Sequence, residues 1–473
     1  MRRRSFGLLL LLLLTTPALP AQSLTAKSDI VATIVRGPYL QRTASDSAVL
    51  RWRTDAATDS WAGWGEVAGV YDQTTSAVPR VTEHAVELSG LTAGTLYYYA
   101  VGTTQTVLAG GDAAHSLRTA PLAGDGEPLA LWVIGDCGAT SLPLCGGATT
   151  ANAAQVRDSY AFWTDHATPD LWLMLGDNAY CSGTDAEFQM AVFDVYPEEL
   201  ATVAAWPVFG NHDGVSSDSA TQTGPYFDMF SLPSAAEAGG VASATEAYFS
   251  YESGDLHVVQ LDSAESDSTP GSPMLVWLAA DLAANARPWT IVAFHHPPYT
   301  KGTHDSDNPA DSGGIMERMR ENVLPILEAH GVDLVLTGHS HGYERSFLID
   351  GHYGPTGTFV PATMLKRGGD GDPAGDGPYT KAPGPHAGTV YVVAGNGSRA
   401  EGTIAPWPAL AVGLSELGSL SIEIAGNQMD VRMLRPEPGP PVTATVVDHF
   451  RIVHLAAVFV DGFESGDTGN WQP

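Results

Sequence analysis

Positive charge is scarce in this chain of 473 residues. It has 23 Lys and Arg, of which only four are Lys, against 53 Asp and Glu, so its formal net charge is −30. A surface this acidic repels phosphate backbones, so the composition excludes nucleic-acid binding through a basic surface. Charged residues make up only 16% and apolar residues 44%, which excludes a disordered polyelectrolyte and allows a sizeable core.

Long apolar runs are also missing. The longest run of leucine, Leu8 to Leu14, is far shorter than the ~20 residues that a membrane span requires. It follows three arginines and precedes small residues that end at Ala21, which is the layout of a secretory signal peptide. We therefore predict a signal peptide over residues 1–21, no transmembrane anchor, and a secreted or periplasmic protein.

Cysteine is rare, with three in the whole chain: Cys137, Cys145 and Cys181. Three cysteines are compatible with an oxidising compartment but too few for a disulfide-stapled miniprotein. One disulfide and one free thiol is the simplest arrangement, with three unpaired thiols as the alternative. Zinc ligation by all three is less attractive, because their spacing matches no paired CxxC arrangement.

The periodicity of apolar residues divides the chain into two main units. Between about Ile34 and Ala120, short alternating segments such as Ala48 to Arg53 are separated by turn residues and lack helical patterns, which predicts a small all-β sandwich. The stretch PLAGDGEP (121–128) reads as a linker. The predicted units are a signal peptide (1–21), a β-sandwich (22–122), a catalytic domain (127–454) and a short acidic tail (455–473).

The second unit alternates buried strands with helices, which predicts a sheet with helices outside it. One helix face is marked by Leu275, Leu278 and Leu282. Two final strands are expected at Ser419–Leu434 and Val446–Val453, after a Gly- and Pro-rich loop over residues 350–389. Five apolar runs that do not alternate form the predicted strands: LALWVI (129–134), LWLML (171–175), WPVF (206–209), WTIVAF (289–294) and VDLVL (332–336).

Polar motifs follow each of these five runs. In open α/β sheets ligands bind at the carboxyl ends of the strands, so the five segments are expected to converge on one site. Their carboxylates, amide and imidazoles suit iron, zinc or manganese. Each motif alone is weak, since Gly-Asp after a strand is commonly a turn, but their coincidence in one order favours a metal site. The motifs are GDCG, GDNAY, GNHD, HHPPY and TGHSHGYER.

This ordered series resembles the metal-binding signature of purple acid phosphatases, in the calcineurin-like metallophosphoesterase superfamily. The resemblance covers nearly all of residues 129–453. It implies a four-layer αββα fold of the α+β/α/β type, with two mixed sheets face to face. The leader, which opens with RGPYLQ (36–41) and contains GLTAGTLYYYAV, resembles the fibronectin type III-like domain that precedes such enzymes.

The resemblance implies two metal ions. Iron(III) would be bound by Asp136, Asp177, Tyr180 and His341, since the purple enzymes use a Tyr ligand at the position of Tyr180. Asp177 would bridge to a second metal, iron(II), zinc or manganese, completed by Asn211, His295 and His339. A single bridging carboxylate can hold two cations ~3.5–4 Å apart.

The resemblance also implies the reaction. A metal-bound hydroxide would attack the phosphorus of a small phosphorylated substrate, and His212 and His304 would steady the phosphoryl group and protonate the leaving group. His212 follows a predicted ligand directly. The match at His304 is looser, and His296 is its rival.

Three functions follow as hypotheses. The first is a secreted phosphomonoesterase of the acid phosphatase type. The second is a phosphodiesterase of the same fold that acts on nucleotides or phospholipid head groups, and the third is a metal-binding surface protein without turnover. No ligand or histidine of the signature is missing, which disfavours the third. Nothing in the sequence sets the oligomeric state.

The cysteines lie within this motif series. Cys145 lies in the loop after Asp136, and Cys181 directly follows Tyr180, so both loops leave the same sheet edge. Their Cβ atoms could approach the ~3.8 Å that a disulfide requires. Cys137 lies beside Asp136, where a bridge would strain the ligand loop. We therefore predict a Cys145–Cys181 disulfide and a free Cys137.

Overall fold

A computed structural model describes residues 32–140, 147–367 and 369–455. The predicted signal peptide, Cys145 and residues 456–473 of the predicted tail lie outside the described residues.

An antiparallel six-stranded sheet forms the N-terminal part, here called the N-terminal sheet. The long strand β2 pairs with β1, β3 and β4, while β5 and β6 both pair with β4. Only strands occur here, as the alternation of apolar residues predicted. The strands are β1 (Ile34–Gln41), β2 (Ser47–Gly65), β3 (Gln73–Ser89), β4 (Leu96–Gly102), β5 (Val107–Gly110) and β6 (Ser116–Arg118).

The alternation over Ala48 to Arg53 predicts a half-buried strand with one face in solvent. In the structure that second face of β2 is mostly covered. Val49 and Arg51 are buried as well as Leu50 and Trp52. Arg51 donates to the Asp228 carbonyl oxygen of the following unit, so this face packs against that unit. Alternation within one strand cannot reveal such a contact between units.

Sixteen strands follow in the described residues after the N-terminal sheet. They are β7 (Leu129–Ile134), β8 (Leu171–Met174), β9 (Ala205–Pro207), β10 (Phe249–Ser253), β11 (Leu256–Leu261), β12 (Trp289–Phe294), β13 (Leu334–Thr337), β14 (Tyr343–Ser346), β15 (Leu348–Ile349), β16 (Leu365–Arg367), β17 (Tyr379–Lys381), β18 (Val390–Ala394), β19 (Leu410–Leu414), β20 (Ser419–Ala425), β21 (Gln428–Glu437) and β22 (Thr443–His454).

Two mixed seven-stranded sheets contain most of these strands. Sheet I has the order β10-β11-β12-β13-β18-β14-β19, and sheet II has the order β17-β22-β21-β20-β7-β8-β9. Alternate residues of sheet I face different cores. Val258 and Ile291 share one core with Leu131 and Ile422 of sheet II, whereas Val259 lies in a second core with helix residues. The sheets therefore pack face to face, which confirms the predicted αββα fold.

Helices cover the outer faces of both sheets. The helices are α1 (Thr150–Trp163), α2 (Asp185–Phe188), α3 (Pro197–Leu200), α4 (Pro225–Met229), α5 (Pro273–Ala284), α6 (Ile315–Arg318), α7 (Leu324–Ala329) and α8 (Pro361–Met364). Helix α1 contacts sheet II at β20–β22, and α5 and α7 contribute Leu278 and Leu327 to the core outside sheet I. Among the described residues, no helix is both long and apolar enough to cross a membrane.

The prediction of one strand over Ser419–Leu434 is wrong. This segment forms a hairpin, in which Ala425 pairs with Gln428 around a two-residue turn. Gly426 in this turn has φ +57°, a conformation that glycine adopts without steric cost. The Gly-Asn pair at this point is a hairpin signal that the sequence does contain.

Candidate metal centre

The five predicted strand ends meet where sheets I and II come together. Asp136, Asp177 and Asn211 follow β7, β8 and β9 of sheet II, whereas His295 and His339 follow β12 and β13 of sheet I. Within each sheet these strands run parallel, so their carboxyl ends lie at one edge. The site therefore forms between two sheets and not at the edge of one.

Three of these residues have left-handed backbone conformations. The φ angles of Asp136, Asp177 and His339 are +51°, +52° and +70°. Non-glycine residues in this region cost ~1–3 kcal/mol each and persist where the surrounding structure holds them. The turns after the strands thus aim these side chains at the site.

Two glycines of the motifs allow the loops to approach one another closely. A Cβ atom on Gly210 would lie 2.0 Å from the Asp177 backbone nitrogen, and one on Gly338 would lie 2.5 Å from Asp136 Oδ2. Any other residue would force the loops apart at both positions.

A first group of donor atoms comes from Asp136, Tyr180 and His341. The Tyr180 hydroxyl lies 3.0 Å from Asp136 Oδ1 and 3.2 Å from His341 Nε2, and the last two atoms are 3.6 Å apart. Ligands at right angles on a cation, with bonds of ~2.1 Å, lie ~3 Å from one another. The three atoms are therefore spaced as neighbouring ligands of one ion would be.

A second group comes from Asp177, Asn211 and His295. His295 Nε2 lies 3.1 Å from Asn211 Oδ1 and 3.3 Å from Asp177 Oδ1. His339 offers a further nitrogen, since ligand atoms of Asp177, His295 and His339 lie within 4.8 Å of one another. This group has the same spacing and adjoins the first.

Hydrogen bonds fix which ring nitrogen of these histidines is free. His295 Nδ1 donates to the Leu175 carbonyl oxygen at 2.8 Å, so the neutral ring, the form that binds a metal, carries its lone pair on Nε2, which faces Asp177. The Ser312 hydroxyl donates to Asp311, so it accepts from His339 Nε2 at 2.7 Å and leaves the lone pair of His339 on Nδ1. Partners of this kind orient metal-binding histidines.

His212 and His304 flank the two groups. His212 Nδ1 donates to the Cys181 carbonyl oxygen at 2.6 Å, and its Nε2 lies 3.9 Å from Asp177 Oδ2. The His304 ring stacks on His339 with centroids 3.9 Å apart, and its Nδ1 donates to Asp311. The rival His296 is buried and bonded to Ser263 through Nδ1, so it is less accessible than His304.

The electrostatics of the site favour a bound cation. Asp136 and Asp177 are both buried, and among the described residues neither carboxylate forms an ion pair with Lys or Arg. Burial opposes the ionisation of Asp177, but His295 outweighs it and lowers the pKa of this carboxyl. Burial, followed by the Asp136 charge, raises the pKa of Tyr180 well above its usual range. Buried carboxylates need such compensation, and a cation that displaces the phenol proton would supply it.

Sequence reasoning missed Asp213 as a supporting residue. Its buried carboxylate accepts hydrogen bonds from the backbone nitrogens of Gly210, Asn178 and Ala179, and so ties the second and third ligand loops together. Burial, with Asp177 nearby, raises the pKa of Asp213 to about 7. Its place at the end of GNHD was the available signal. Asp311 and Ser312 carried no comparable signal, because no motif contains them.

The cysteines are only partly described. Cys181 is disulfide-bonded, and Cys137 is free and buried. Since Cys145 lies outside the described residues, its pairing with Cys181 stays a prediction.

Comparison with known proteins shows which families the chain is similar to. Residues 129–343 match the family model of calcineurin-like phosphoesterases. Purple acid phosphatase 18 of Arabidopsis thaliana is 30% identical over 274 residues, which are 56% of this chain and 54% of that protein. The chain thus spans about half the length of this relative. The predicted resemblance to calcineurin-like metallophosphoesterases is confirmed over residues 129–343, whereas the fibronectin type III-like leader stays a prediction.

Solved structures give the same fold. Purple acid phosphatase PPD1 from yellow lupin (Lupinus luteus) seeds superposes with a TM-score of 0.65 at 15% identity, covering 89% of this chain and 74% of that one. A structure of PhoD superposes with a TM-score of 0.60 at 13% identity, covering 88% and 89%. The described chain therefore has the metallophosphoesterase fold.

Proposed function

We propose that this protein is a metal-dependent phosphoester hydrolase, a secreted or periplasmic acid phosphatase that cleaves small phosphate monoesters. One observation carries the proposal: two groups of buried and partly buried oxygen and imidazole donors converge where the sheets meet, with Tyr180 in the first group. The similarity of residues 129–343 to calcineurin-like phosphoesterases supports the reaction class.

The proposed metals follow the two donor groups. Asp136, Asp177, Tyr180 and His341 would bind iron(III). Asp177, Asn211, His295 and His339 would bind iron(II), zinc or manganese. The residues fit these ions, because the donor atoms are spaced as ligands and, among the described residues, the two buried carboxylates form ion pairs only with histidines.

When bound, the cations would supply charge for the phosphoryl oxygens and an activated water. The protein would supply the rest. His212 projects Nε2 toward the site while the Cys181 carbonyl oxygen holds its Nδ1 proton, so it suits contact with the phosphoryl group. His304 has Nδ1 engaged by Asp311, and in its imidazolium form it would carry on Nε2 the proton that the leaving oxygen takes.

We also infer the organisation of the whole chain. Residues 1–21 would be the signal peptide, 22–122 a fibronectin type III-like sandwich and 127–454 the catalytic domain. The Tyr97 hydroxyl accepts a hydrogen bond from the Thr92 nitrogen at 3.0 Å, a contact typical of the tyrosine corner of such sandwiches. Cys145 would be the partner of Cys181, which peptide mapping under non-reducing conditions would test.

Metal removal combined with a choice of substrates tests the proposed function. Purified protein should contain two metal ions per chain and hydrolyse p-nitrophenyl phosphate faster than bis-p-nitrophenyl phosphate. Chelation should abolish the activity, and added iron with zinc or manganese should restore it. Preference for the diester would make the protein a phosphodiesterase, and bound metals without turnover of either ester would make it a binding protein.

A further inference from the structure

A short loop beyond β12 brings one carboxylate between two histidines of the candidate site. Asp311 begins a short turn, Asp311–Gly314, seven residues after His304, in which Ser312 and Gly313 have left-handed φ angles of +48° and +62°. Asp311 Oδ1 accepts from His304 Nδ1 at 2.8 Å and from the Ser312 hydroxyl at 2.9 Å. Its other oxygen accepts from the Asp305 backbone nitrogen at 2.9 Å. The side chain is thus held at both oxygens and is only 19% exposed.

The directions of these hydrogen bonds follow from proton counting. A serine hydroxyl has one proton, and Ser312 donates it to Asp311, so the bond of 2.7 Å between Ser312 Oγ and His339 Nε2 is donated by His339. The chain of bonds runs from His339 through Ser312 to Asp311, and His304 donates to the same Asp311 oxygen. One carboxylate thereby sets the tautomers of both rings.

The two rings are also held parallel. They stack with centroids 3.9 Å apart and planes inclined by 22°. With Nδ1 of His304 bound to Asp311, no other described residue forms a hydrogen bond to His304 Nε2. The free nitrogens are therefore Nε2 on His304 and Nδ1 on His339, and rotation of either ring would break its bond to the loop.

We propose that Asp311 is a positioning residue that holds the leaving-group histidine His304 directly and the metal ligand His339 through Ser312. The inference rests on the proposed function, since it takes His304 as the proton donor and His339 as a ligand of the second metal. Nothing in the sequence pattern pointed to this loop. Its effect would be to couple proton delivery to the integrity of the second metal site.

The two branches of the network can be separated by substitution. Asp311→Ala removes the acceptor of both branches. Ser312→Ala removes only the acceptor of His339 and leaves His304 bonded to Asp311. Asp311→Asn retains one oxygen, which can still accept at the Oδ1 position. Asp305→Ala is the matched control, because its carboxylate pairs with Lys301 and its hydrogen bond to Asp311 comes from the backbone nitrogen, which alanine retains.

Two quantities are measured for each variant. The affinity for the second metal is measured by equilibrium dialysis of metal-free protein against zinc. The value of kcat/KM is measured for p-nitrophenyl phosphate and for phenyl phosphate. The first ester has a good leaving group and the second a poor one, so proton donation matters more for phenyl phosphate. Asp311→Ala should lose ~10²-fold or more on phenyl phosphate, several-fold on p-nitrophenyl phosphate, and ~10–100-fold in zinc affinity. Ser312→Ala should lose zinc affinity by the same factor while the ratio of the two esters stays at the wild-type value.

Asp311→Asn should recover part of the phenyl phosphate activity, and Asp305→Ala should match the wild type in both measurements. Equal losses on the two esters in Asp311→Ala, or unchanged zinc affinity in Ser312→Ala, would overturn the proposal while leaving the phosphatase function intact. A wild-type protein that binds zinc but hydrolyses neither ester would instead overturn the proposed function and this inference with it.

Discussion

The N-terminal sheet and the junction of sheets I and II both bury histidines, and they use the ring nitrogens differently. In the N-terminal sheet, His84 is fully buried, stacks on Trp52, and bonds through both nitrogens to the hydroxyls of Thr54 and Ser60 at 2.9 and 2.8 Å. Burial lowers its pKa to about 4, so it remains neutral. At the sheet junction, one nitrogen of His295 donates a hydrogen bond to a carbonyl oxygen, and the other faces Asp177.

The comparison teaches that burial of a histidine does not by itself mark a site. A ring with both nitrogens bonded to neutral hydroxyls is a packing residue. A ring with one nitrogen fixed and the other facing a buried carboxylate is arranged to bind something. Substitutions in the two regions should therefore affect different properties.

The largest effect is expected for Asp177→Asn at the sheet junction. Asp177 supplies the only carboxylate of the second donor group and is the proposed bridge to the first metal, so its loss should remove both metals and reduce activity to background. Metal analysis and p-nitrophenyl phosphate hydrolysis measure this. Retention of two metals per chain would rule out Asp177 as the bridge.

His212→Ala should keep both metals and lower kcat by ~10²–10⁴-fold, because this ring faces the site without belonging to either donor group. Steady-state kinetics together with metal analysis of the same preparation test this prediction. If metal is lost in proportion to activity, His212 is a ligand or a structural residue.

His84→Ala should produce the opposite pattern in the N-terminal sheet. It leaves a cavity beneath Trp52 and removes the hydrogen bonds of the ring to the Thr54 and Ser60 hydroxyls, which should lower the free energy of unfolding by ~2–4 kcal/mol. Metal content and kcat/KM should be unchanged. Denaturant unfolding gives the stability, and a drop in metal content would contradict the separation of the two regions.

Tyr180→Phe should remove a visible absorption band and change stability little. The expected band comes from charge transfer between the phenolate and iron(III), and the ring itself stays packed against His212 in the variant. Absorption spectra of oxidised, iron-loaded protein test this. A colourless wild-type protein with stoichiometric iron would show that Tyr180 is not a ligand.

The smallest effect concerns the contact between the two regions. Arg36 and Arg53 of the N-terminal sheet both bond to Asp185, at 2.9 and 2.8 Å, just after the Tyr180 loop. Hydrogen bonds from Arg53, then Arg36, lower the pKa of Asp185 from 3.8 to about 2. A carboxyl whose pKa is lower in the folded than in the unfolded protein stabilises the fold at pH values above its unfolded pKa. This stabilisation is lost as the pH falls through the folded pKa.

Asp185→Asn should therefore lower the melting temperature slightly at neutral pH. The difference from wild type should shrink as the pH falls from about 4 toward 2, and it should be small because the Asp185 side chain is 46% exposed. Melting curves over this range test it. A difference that does not depend on pH would mean that the ion pairs contribute nothing.

Much of the fold could be predicted from the sequence because the apolar runs are local signals. LALWVI and WTIVAF are strands with the predicted bounds, and Leu275, Leu278 and Leu282 lie buried on α5 as their spacing predicted. The covered face of β2 and the hairpin at Gly426 were missed. The first depends on a distant contact at Asp228, and the second on a two-residue turn inside what reads as one continuous strand.

The sequence by itself determined which residue types follow each buried strand, because a strand and the turn after it are encoded by neighbouring residues. Only the tertiary structure decided that Asp136 and His295 come from different sheets, which nitrogen of each histidine is free, and that Asp311 joins His304 to His339. Those properties depend on hydrogen bonds between residues far apart in the chain, such as His295 with Leu175. A hydrogen bond determines which ring nitrogen carries the proton because donor and acceptor must lie at the right distance and angle. These distances and angles exist only once the sheets have packed.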